Sequence, residues 1–311
     1  MQSYDTCMTN KYIFTIGVVV LLIIAMGAYT IRHRTESPKQ ATESPSSEKL
    51  QIVASFYPME FFAEQIAGSY ADITNVTPAG TEPHDFEPSA QDIAKMERAN
   101  LIILNGNLEP WGANIQANLQ HSPVRIIVAG EGIIKNADPH IWLDPILAKE
   151  IVRKIGDAIV AIDPSNSEFY HANTNDLLQK LDQLDTDYKT RLAHCASQDF
   201  VTSHAAFGYL AEQYALHQVP IAGLSPEEEP SPQTLATVAK FVQQNNVKYI
   251  FFESLVSPKL AQTIASETHT QTLELNPIEG LTTEEKQEGK SYFSVMRSNL
   301  QNLQTALSCR I

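Results

Sequence analysis

Short apolar runs alternate along this chain with longer segments in which apolar residues recur every three or four positions. In the first half, four such runs predict strands at 51–55, 72–76, 101–104 and 125–128. The same rhythm returns in the second half, with predicted strands at 199–202, 219–222, 248–252 and 272–275. Strands that alternate with helices favour parallel sheets. We therefore expect an α/β fold with two four-stranded parallel-sheet lobes and helices on both faces.

The segment between the two halves predicts one long helix. Asp163 can cap a helix that has Pro164 as its first residue, and no Gly or Pro follows before Cys195. Apolar residues then recur mostly at steps of three and four, which predicts a helix of about 30 residues. Such a helix would hold two lobes at a fixed separation. A helical hairpin broken near Asp185 is the alternative.

The N-terminal segment bears on the cellular compartment. Residues 13–31 carry no charge and are long enough to span a bilayer, which predicts a signal peptide or membrane anchor over residues 1–34. Arg32 and Arg34 favour a cytoplasmic position for that flank, but export remains the favoured interpretation. Residues 35–49 are rich in Ser, Pro, Glu and Lys and predict a disordered linker. The first lobe then occupies residues 50–163, the connecting helix 164–195 and the second lobe 196–311.

Charge and cysteine content narrow the choice of ligands. The chain has 22 Lys and Arg against 36 Asp and Glu, a formal net charge of -14. This acidity disfavours nucleic acid as a partner and suits a cationic or neutral ligand. Cys7 lies in the leader, which leaves Cys195 and Cys309 in the folded part. They could form one disulfide in an exported protein and would be two free thiols in the cytosol.

Three histidines share one position relative to the predicted strands. His84, His140 and His204 each follow the carboxyl end of a strand, where open α/β sheets bind ligands. Imidazole is a preferred ligand of zinc, and a four-coordinate site needs one more donor. By symmetry that donor should follow the last strand of the second half, where Glu279 lies. The pattern predicts a metal site with two ligands from each half.

Nearby residues have simpler interpretations. Asp144 directly precedes Pro145 and predicts a helix N-cap. Glu82 and its acidic neighbours predict an acidic rim beside His84. Trp142 is expected in the core or in the wall of the cleft.

At these residues the chain resembles the zinc-binding, ZnuA-type members of the metal-specific solute-binding proteins of ABC importers (cluster A-I). Six segments carry the resemblance, and they read PHDFEPSA, HIWLDP, TSHAAFGYLAEQY, GLSPEEEPSP, FFESLVSPKLAQTIA and LNPIEGLT. They extend over residues 50–311 in the family's order. The resemblance implies two α/β lobes joined by a rigid helix, with the metal in the cleft between them.

The same resemblance assigns the ligands. It places three imidazoles at His84, His140 and His204, and the carboxylate of the LNP-x-E pattern at Glu279. Manganese members usually have a carboxylate at the position of His204 and Asp at that of Asn276, so these residues favour zinc. The resemblance also implies a disulfide between Cys195 and Cys309. A His-rich loop, which many zinc members carry, is absent from residues 130–139.

These observations predict an extracytoplasmic protein, in the periplasm or on the outer face of the cytoplasmic membrane. We expect a monomeric carrier, not an enzyme, that binds Zn2+ and delivers it to the membrane permease of an ABC importer. A closed four-ligand site holds metal without activating water, so we expect no catalytic residues. The alternatives are a manganese or iron carrier of the same fold, a zinc-dependent hydrolase and a cell-surface adhesin.

Overall fold

The computed structural model describes residues 49–310. The predicted signal peptide or anchor at 1–34 lies outside the described residues, as does the predicted linker at 35–49 except for Lys49. Among the helices of the described range, none is both long and apolar enough to cross a membrane.

Eight strands within the described residues form two groups of four. The first group comprises β1 (Leu50–Ala54), β2 (Ala71–Asn75), β3 (Leu101–Leu104) and β4 (Arg125–Val128). The second group comprises β5 (Asp199–Thr202), β6 (His217–Pro220), β7 (Tyr249–Phe252) and β8 (Gln271–Glu274). Both sheets are parallel, with the strand orders β2-β1-β3-β4 and β6-β5-β7-β8. The predicted fold class is confirmed.

Helices connect and cover these strands. In the first half they are α1 (Tyr57–Ala67), α2 (Ala90–Met96), α3 (Gly112–Leu119) and α4 (Pro145–Ile162). The second half has α6 (Gly208–Gln213), α7 (Pro232–Gln244), α8 (Lys259–Thr268), α9 (Thr283–Gln287) and α10 (Tyr292–Leu307). Between the halves runs α5 (Ser167–Leu192), which has 26 residues.

The long helix α5 contacts both halves of the molecule. A short 3-10 turn at Pro164–Asn166 precedes it, and the helix continues without interruption through Asp185, so the hairpin alternative is wrong. Its buried side chains recur at helical spacing. The Asn173 side-chain amide donates a hydrogen bond to the carbonyl of Ile66 in the first half, at 3.0 Å. The Tyr188 hydroxyl donates to the carbonyl of Met296 in the second half, at 2.7 Å.

The two sheets share one hydrophobic core. Phe56 and Trp142 from the first half belong to the same buried cluster as Phe251 and Tyr292 from the second. Each sheet also has a smaller cluster on its other face. Side chains alternate between the two faces of a strand, so the central strands contribute to the clusters on both faces of their sheets. The carboxyl ends of both sheets lie at the same cleft.

A disulfide joins Cys195, just after α5, to Cys309, just after α10. Two backbone hydrogen bonds lie beside it, from Ala196 to Leu307 and from Arg310 to His194, each 3.0 Å long. Of the two states that the composition left open for these cysteines, the structure contains the bonded one. The bridge ties the end of the long helix to the C-terminal helix.

Candidate metal centre

Four loops bring the predicted ligands together. His84 follows β2, His140 follows β4, His204 follows β5 and Glu279 follows β8, each beyond the carboxyl end of its strand. Because all strands of a parallel sheet end at one edge, the loops that follow them converge. The loops of the two sheets face each other across the cleft. One donor atom from each of the four residues lies within 4.8 Å of the others.

The spacing of these donor atoms suits a tetrahedral metal ion. The Oε1 atom of Glu279 lies 3.2 Å from Nε2 of His84, 3.1 Å from Nε2 of His140 and 3.3 Å from Nε2 of His204. His140 Nε2 is 3.3 Å from the Nε2 atoms of both other histidines. Donors of a tetrahedral site with metal–ligand bonds of about 2.0–2.1 Å lie about 3.3–3.4 Å apart. The five distances therefore match a tetrahedron closely.

The four side chains are almost wholly shielded from solvent. The imidazole of His84 is 9% exposed, and the side chains of His140, His204 and Glu279 are 0% exposed. The second carboxylate oxygen of Glu279, Oε2, is buried and has no hydrogen-bond partner. Burying a carboxylate with an unsatisfied oxygen is unfavourable unless a positive charge is close. A bound cation would supply that charge.

Two further carboxylates orient the ligand imidazoles. Asp138 Oδ1 lies 2.7 Å from Nδ1 of His140, and both oxygens of Glu253 lie 2.8 Å from Nδ1 of His204. A proton on Nδ1 leaves the lone pair of Nε2 free to face the cluster, as a metal ligand requires. Neither carboxylate was singled out from the sequence. Glu253 follows the carboxyl end of β7, so the positional argument that selected the histidines could have found it.

Electrostatics in the cluster favour a negative Glu279 beside proton-binding imidazoles. Burial alone would lower the pKa of His140, but hydrogen bonds to Asp138 and Glu279 outweigh burial and raise it. The pKa of His204 lies well above its ordinary value, because the charges of Glu253 and Glu279 outweigh burial. Burial would raise the pKa of Glu279, but the charge of His204 and the imidazole hydrogen bonds hold it well below its ordinary range.

Glu82 lies close to the cluster but behaves differently from Glu279. Its Oε1 atom accepts a hydrogen bond from the backbone N–H of His84 at 3.1 Å. Burial raises the pKa of Glu82 to about 9, and the neighbouring Glu279 carboxylate adds to the rise. Glu82 is therefore neutral near pH 7 in the metal-free protein. Asp85 and Glu87 are the exposed members of the expected acidic rim.

The loop that carries His140 is anchored from several sides. The side-chain amide of Asn105 donates to the carbonyl of Pro139 at 2.9 Å. Tyr209, at the start of α6 in the other half, donates its hydroxyl to the carbonyl of Asp138 at 2.9 Å. Asp144 caps α4 by accepting a hydrogen bond from Ile146, which confirms the predicted N-cap. Trp142 is fully buried in the core.

Known proteins are similar to this chain in sequence and in fold. The family model for ZnuA, described as a periplasmic component A of a zinc-uptake complex, matches residues 52–306. The chain is 36% identical over 316 residues to the high-affinity zinc uptake system protein ZnuA of Bacillus subtilis (strain 168), covering 95% of this chain and 97% of that protein. It is 36% identical over 294 residues to the zinc-binding protein AdcA of Streptococcus pyogenes serotype M6, and the match spans 57% of that longer protein.

A solved structure shares the same architecture. The Zn(II)-bound ZnuA-like domain of Streptococcus pneumoniae AdcA superposes with a TM-score of 0.76 at 39% sequence identity. The match covers 83% of this chain and 99% of that domain. The two-lobed fold with a long connecting helix is therefore common to this chain and to a zinc-bound relative.

Proposed function

This chain belongs to the ZnuA family of zinc-uptake components, and on that premise we propose that it captures Zn2+ between its lobes and delivers it to an ABC-type importer. The observation that carries the proposal is the cluster of His84, His140, His204 and Glu279, whose donor atoms lie within 4.8 Å of one another. Two of these ligands come from each half, so bound metal would bridge the lobes.

The donor set favours zinc over manganese. Three imidazole nitrogens and one carboxylate oxygen suit a tetrahedral zinc ion, whereas manganese prefers more oxygen donors and a larger coordination number. Two other nearby carboxylates, Asp138 and Glu253, are hydrogen-bonded to Nδ1 of His140 and His204 and so are engaged in orienting the imidazoles. Asn276, where manganese members usually carry Asp, is bonded to Ser254 and Glu285 instead of facing the cluster.

The same geometry supports a carrier rather than an enzyme. A zinc hydrolase needs an open coordination position for water, usually beside three protein ligands. Here Glu279 Oε1 lies within 3.3 Å of all three imidazole nitrogens and would occupy the fourth tetrahedral position. Of the four ligand side chains, His84 is 9% exposed and the other three are 0% exposed, so little of the site faces solvent. We therefore propose that the site stores and transfers the ion without activating water.

The proposal extends to partners and compartment. An importer requires a membrane permease and a cytoplasmic ATPase, which are separate chains, and the binding protein meets the permease outside the cytoplasmic membrane. We propose that this protein acts there as a monomer, held or exported by its apolar N-terminal segment. The disulfide between Cys195 and Cys309 supports an oxidising compartment, because such bonds are rare in the cytosol.

The test is a competition titration of metal-stripped, full-length protein with Zn2+ and with Mn2+. We expect one tightly bound Zn2+ per chain and much weaker Mn2+ binding. His204→Ala and Glu279→Ala should each weaken zinc binding strongly. The loss should exceed the roughly 10–100-fold that is typical when a residue hydrogen-bonded to a metal ligand is removed. The matched controls are His217→Ala and Glu267→Ala, since both residues are exposed and lie before or at the amino ends of β6 and β8, away from the carboxyl ends that carry the ligand loops.

The manganese-carrier and hydrolase alternatives can be told apart from the proposal by this titration together with an assay of hydrolysis. Preference for Mn2+ over Zn2+ would identify a manganese carrier of the same fold. Hydrolytic turnover by the zinc-loaded wild-type protein would favour an enzyme. Zinc affinity that is unchanged in both ligand variants would refute the ligand assignment itself.

A further inference from the structure

Two hydrogen bonds link ligand loops of the first half to the loop of the second half that carries Glu279. The backbone N–H of Gly80, in the His84 loop, donates to the carbonyl of Leu281 at 3.0 Å, and a side chain of the His140 loop forms the second bond. The indole Nε1 of Trp142 donates to the carbonyl oxygen of Pro277 at 2.7 Å, and both groups are buried. Trp142 lies two residues after His140, and Pro277 lies two residues before Glu279. The bond therefore joins a side chain next to one candidate ligand to the backbone next to another, from the opposite lobe.

The loop that presents Glu279 has a backbone that needs such support. Ile278, directly before Glu279, has a φ of 58° and is fully buried. The left-handed region is unfavourable for a β-branched residue, so the surrounding contacts must hold the conformation in place. One contact is local, because the side-chain oxygen of Asn276 accepts a hydrogen bond from the N–H of Ile278 at 2.7 Å.

Asn276 is itself fixed by the C-terminal helix. Its backbone N–H donates to Oδ1 of Asn299 at 2.9 Å, and Nδ2 of Asn299 donates back to its carbonyl at 2.7 Å. Its own Nδ2 donates to Ser254 at 2.9 Å. The start of the loop is thus anchored within its own lobe. Beyond it, the carbonyl of Pro277 is held only by the indole of the other lobe among the hydrogen bonds of the described residues.

Trp142 is held rigidly enough to act as that support. The hydroxyl of Tyr292 donates to its carbonyl oxygen at 2.6 Å. Its ring packs edge-on against Phe56, with centroids 4.7 Å apart, and lies 5.3 Å from the ring of His140. The side chain is 0% exposed. A buried donor in fixed packing keeps its acceptor in place without a further loss of side-chain entropy.

We propose that Trp142 is a positioning residue that latches the Glu279 loop and thereby sets the rate at which zinc is released. With the bond intact, the carboxylate stays among the imidazoles whether or not metal is bound. Release requires Glu279 to withdraw. The bond from Gly80 to Leu281 holds the far side of its loop, and the side before Glu279 cannot move outward until the bond from Trp142 to Pro277 breaks. This inference rests on the proposed zinc-carrier function and adds a kinetic role for a residue that does not contact the metal.

The test compares zinc release and capture in full-length Trp142→Phe with wild type. Stopped-flow transfer of Zn2+ to excess chelator gives the dissociation rate, and capture from a fluorescent zinc indicator gives the association rate. Phenylalanine keeps an aromatic ring but leaves the Pro277 carbonyl unpaired, so dissociation should accelerate between roughly 5- and 50-fold. Association should change less than about twofold, because the ligands themselves remain.

Trp111→Phe is the matched control, since Trp111 is also buried but packs in the outer cluster of the first sheet.

A second pair of variants tests the same idea without touching Trp142. Tyr292→Phe removes the hydroxyl that holds Trp142 and should accelerate release by a smaller factor. Tyr188→Phe removes an equivalent buried hydroxyl bonded to Met296 and should leave release unchanged. This pair decides the question if Trp142→Phe does not fold.

The absorption spectrum of Co2+-loaded protein provides a further signature. If the latch positions Glu279, the visible bands of tetrahedral Co2+ should weaken or shift in Trp142→Phe but not in Trp111→Phe. Wild-type zinc release rates in both Trp142→Phe and Tyr292→Phe would overturn the latch while leaving the carrier function intact. Failure of wild-type protein to bind zinc would overturn both.

Discussion

At the scale of single residues, the site depends on how each imidazole is oriented. A histidine binds metal through one nitrogen only when its other nitrogen carries the proton, and a carboxylate hydrogen-bonded to that proton selects this tautomer. Asp138 does this for His140, and Glu253 does it for His204. Glu253 is itself only 3% exposed, so its charge acts on His204 with little screening by solvent.

Glu253→Gln tests this role. Glutamine keeps the shape and one acceptor but loses the charge, so we expect zinc affinity to fall about 10–100-fold. The pKa of His204 should also fall toward its ordinary value, which moves the pH dependence of zinc binding to lower pH. Competition titration over a pH series measures both effects. Asp185→Asn, which changes another buried carboxylate, is the control and should alter neither.

Zinc affinity should fall as the pH is lowered. The pKa values of His140 and His204 are raised in the metal-free protein, so both imidazoles bind protons from above pH 6.5 downward, and zinc must displace them. Glu279, whose pKa is depressed, stays charged throughout this range. Where both histidines are protonated the loss should approach about 100-fold per pH unit. Equal zinc affinity at pH 8 and pH 6 would contradict the assignment.

The sequence predicts the ligands better than their partners. His84, His140, His204 and Glu279 could be selected because each follows a strand, and strand ends converge in a parallel sheet. The orienting contact of Glu253 depends on the separation of two strand ends in space, which periodicity does not give. The Trp142–Pro277 bond depends on the packing of one lobe against the other. The position of Glu253 after β7 could mark it as a candidate, but which side chain it or Trp142 contacts is tertiary and is not given by local pattern.

At the scale of elements, the packing of α4 against α5 includes a glycine that leaves room for a threonine. A Cβ atom on Gly156 would lie 2.7 Å from Oγ1 and 3.2 Å from Cγ2 of Thr174. Threonine is restricted in χ1, so this side chain cannot simply rotate away. The small residue therefore sets the distance between the long helix and the helix that follows the His140 loop.

Overpacking in Gly156→Ala should lower the free energy of unfolding by about 1–3 kcal/mol. The higher helix propensity of alanine offsets about 1 kcal/mol of this loss. Gly156→Ala combined with Thr174→Ala should recover the loss, because the second change removes the atoms that clash. Oγ1 of Thr174 has no hydrogen-bond partner, so its removal leaves no donor or acceptor unpaired. Thermal unfolding of the two single variants and the double variant measures the coupling. Additive effects would mean that the contact is not the cause.

The predicted ends of the strands agree with the structure in some cases and differ from it in others. The predicted strands at 101–104, 125–128 and 199–202 agree with the structure at both ends. The strand predicted at 219–222 is instead His217–Pro220. Its register is set by pairing with β5, in which Asp199 lies opposite His217, whereas the apolar Ile221 and Ala222 that suggested the strand are buried just beyond it. Strand pairing overrides local hydrophobicity there.

At the scale of the whole molecule, the two halves are less independent than their repeated rhythm suggests. The strand order within each sheet, with the first strand of each half inside, could not be read from a linear pattern. Nor could the shared core, in which Phe56 and Trp142 pack in one cluster with Tyr292. The sequence pattern predicts two lobes and a connecting helix. It does not show that the lobes are packed into one core rather than hinged around a gap.

This shared core predicts that zinc binding moves the lobes very little. The long helix is bonded to the first half through Asn173 and to the second through Tyr188, and the Trp142–Pro277 bond crosses between them. A hinge opening would break the Trp142–Pro277 bond and expose the apolar core that the two lobes share, which is costly at about 25 cal/mol per Å². We therefore expect rearrangement of the ligand loops without rotation of whole lobes.

Spin labels on the two lobes can measure this motion. Gln116→Cys on α3 and Gln243→Cys on α7 place labels at exposed positions, in a Cys7→Ser background that leaves the Cys195–Cys309 disulfide intact. We expect the mean distance between the labels to change by less than about 2 Å when zinc is added. The same labels in a Glu279→Ala protein control for effects of zinc outside the site. A larger zinc-dependent shift in the wild-type site would mean that the shared core opens, and that the lobes rather than the loops release the ion.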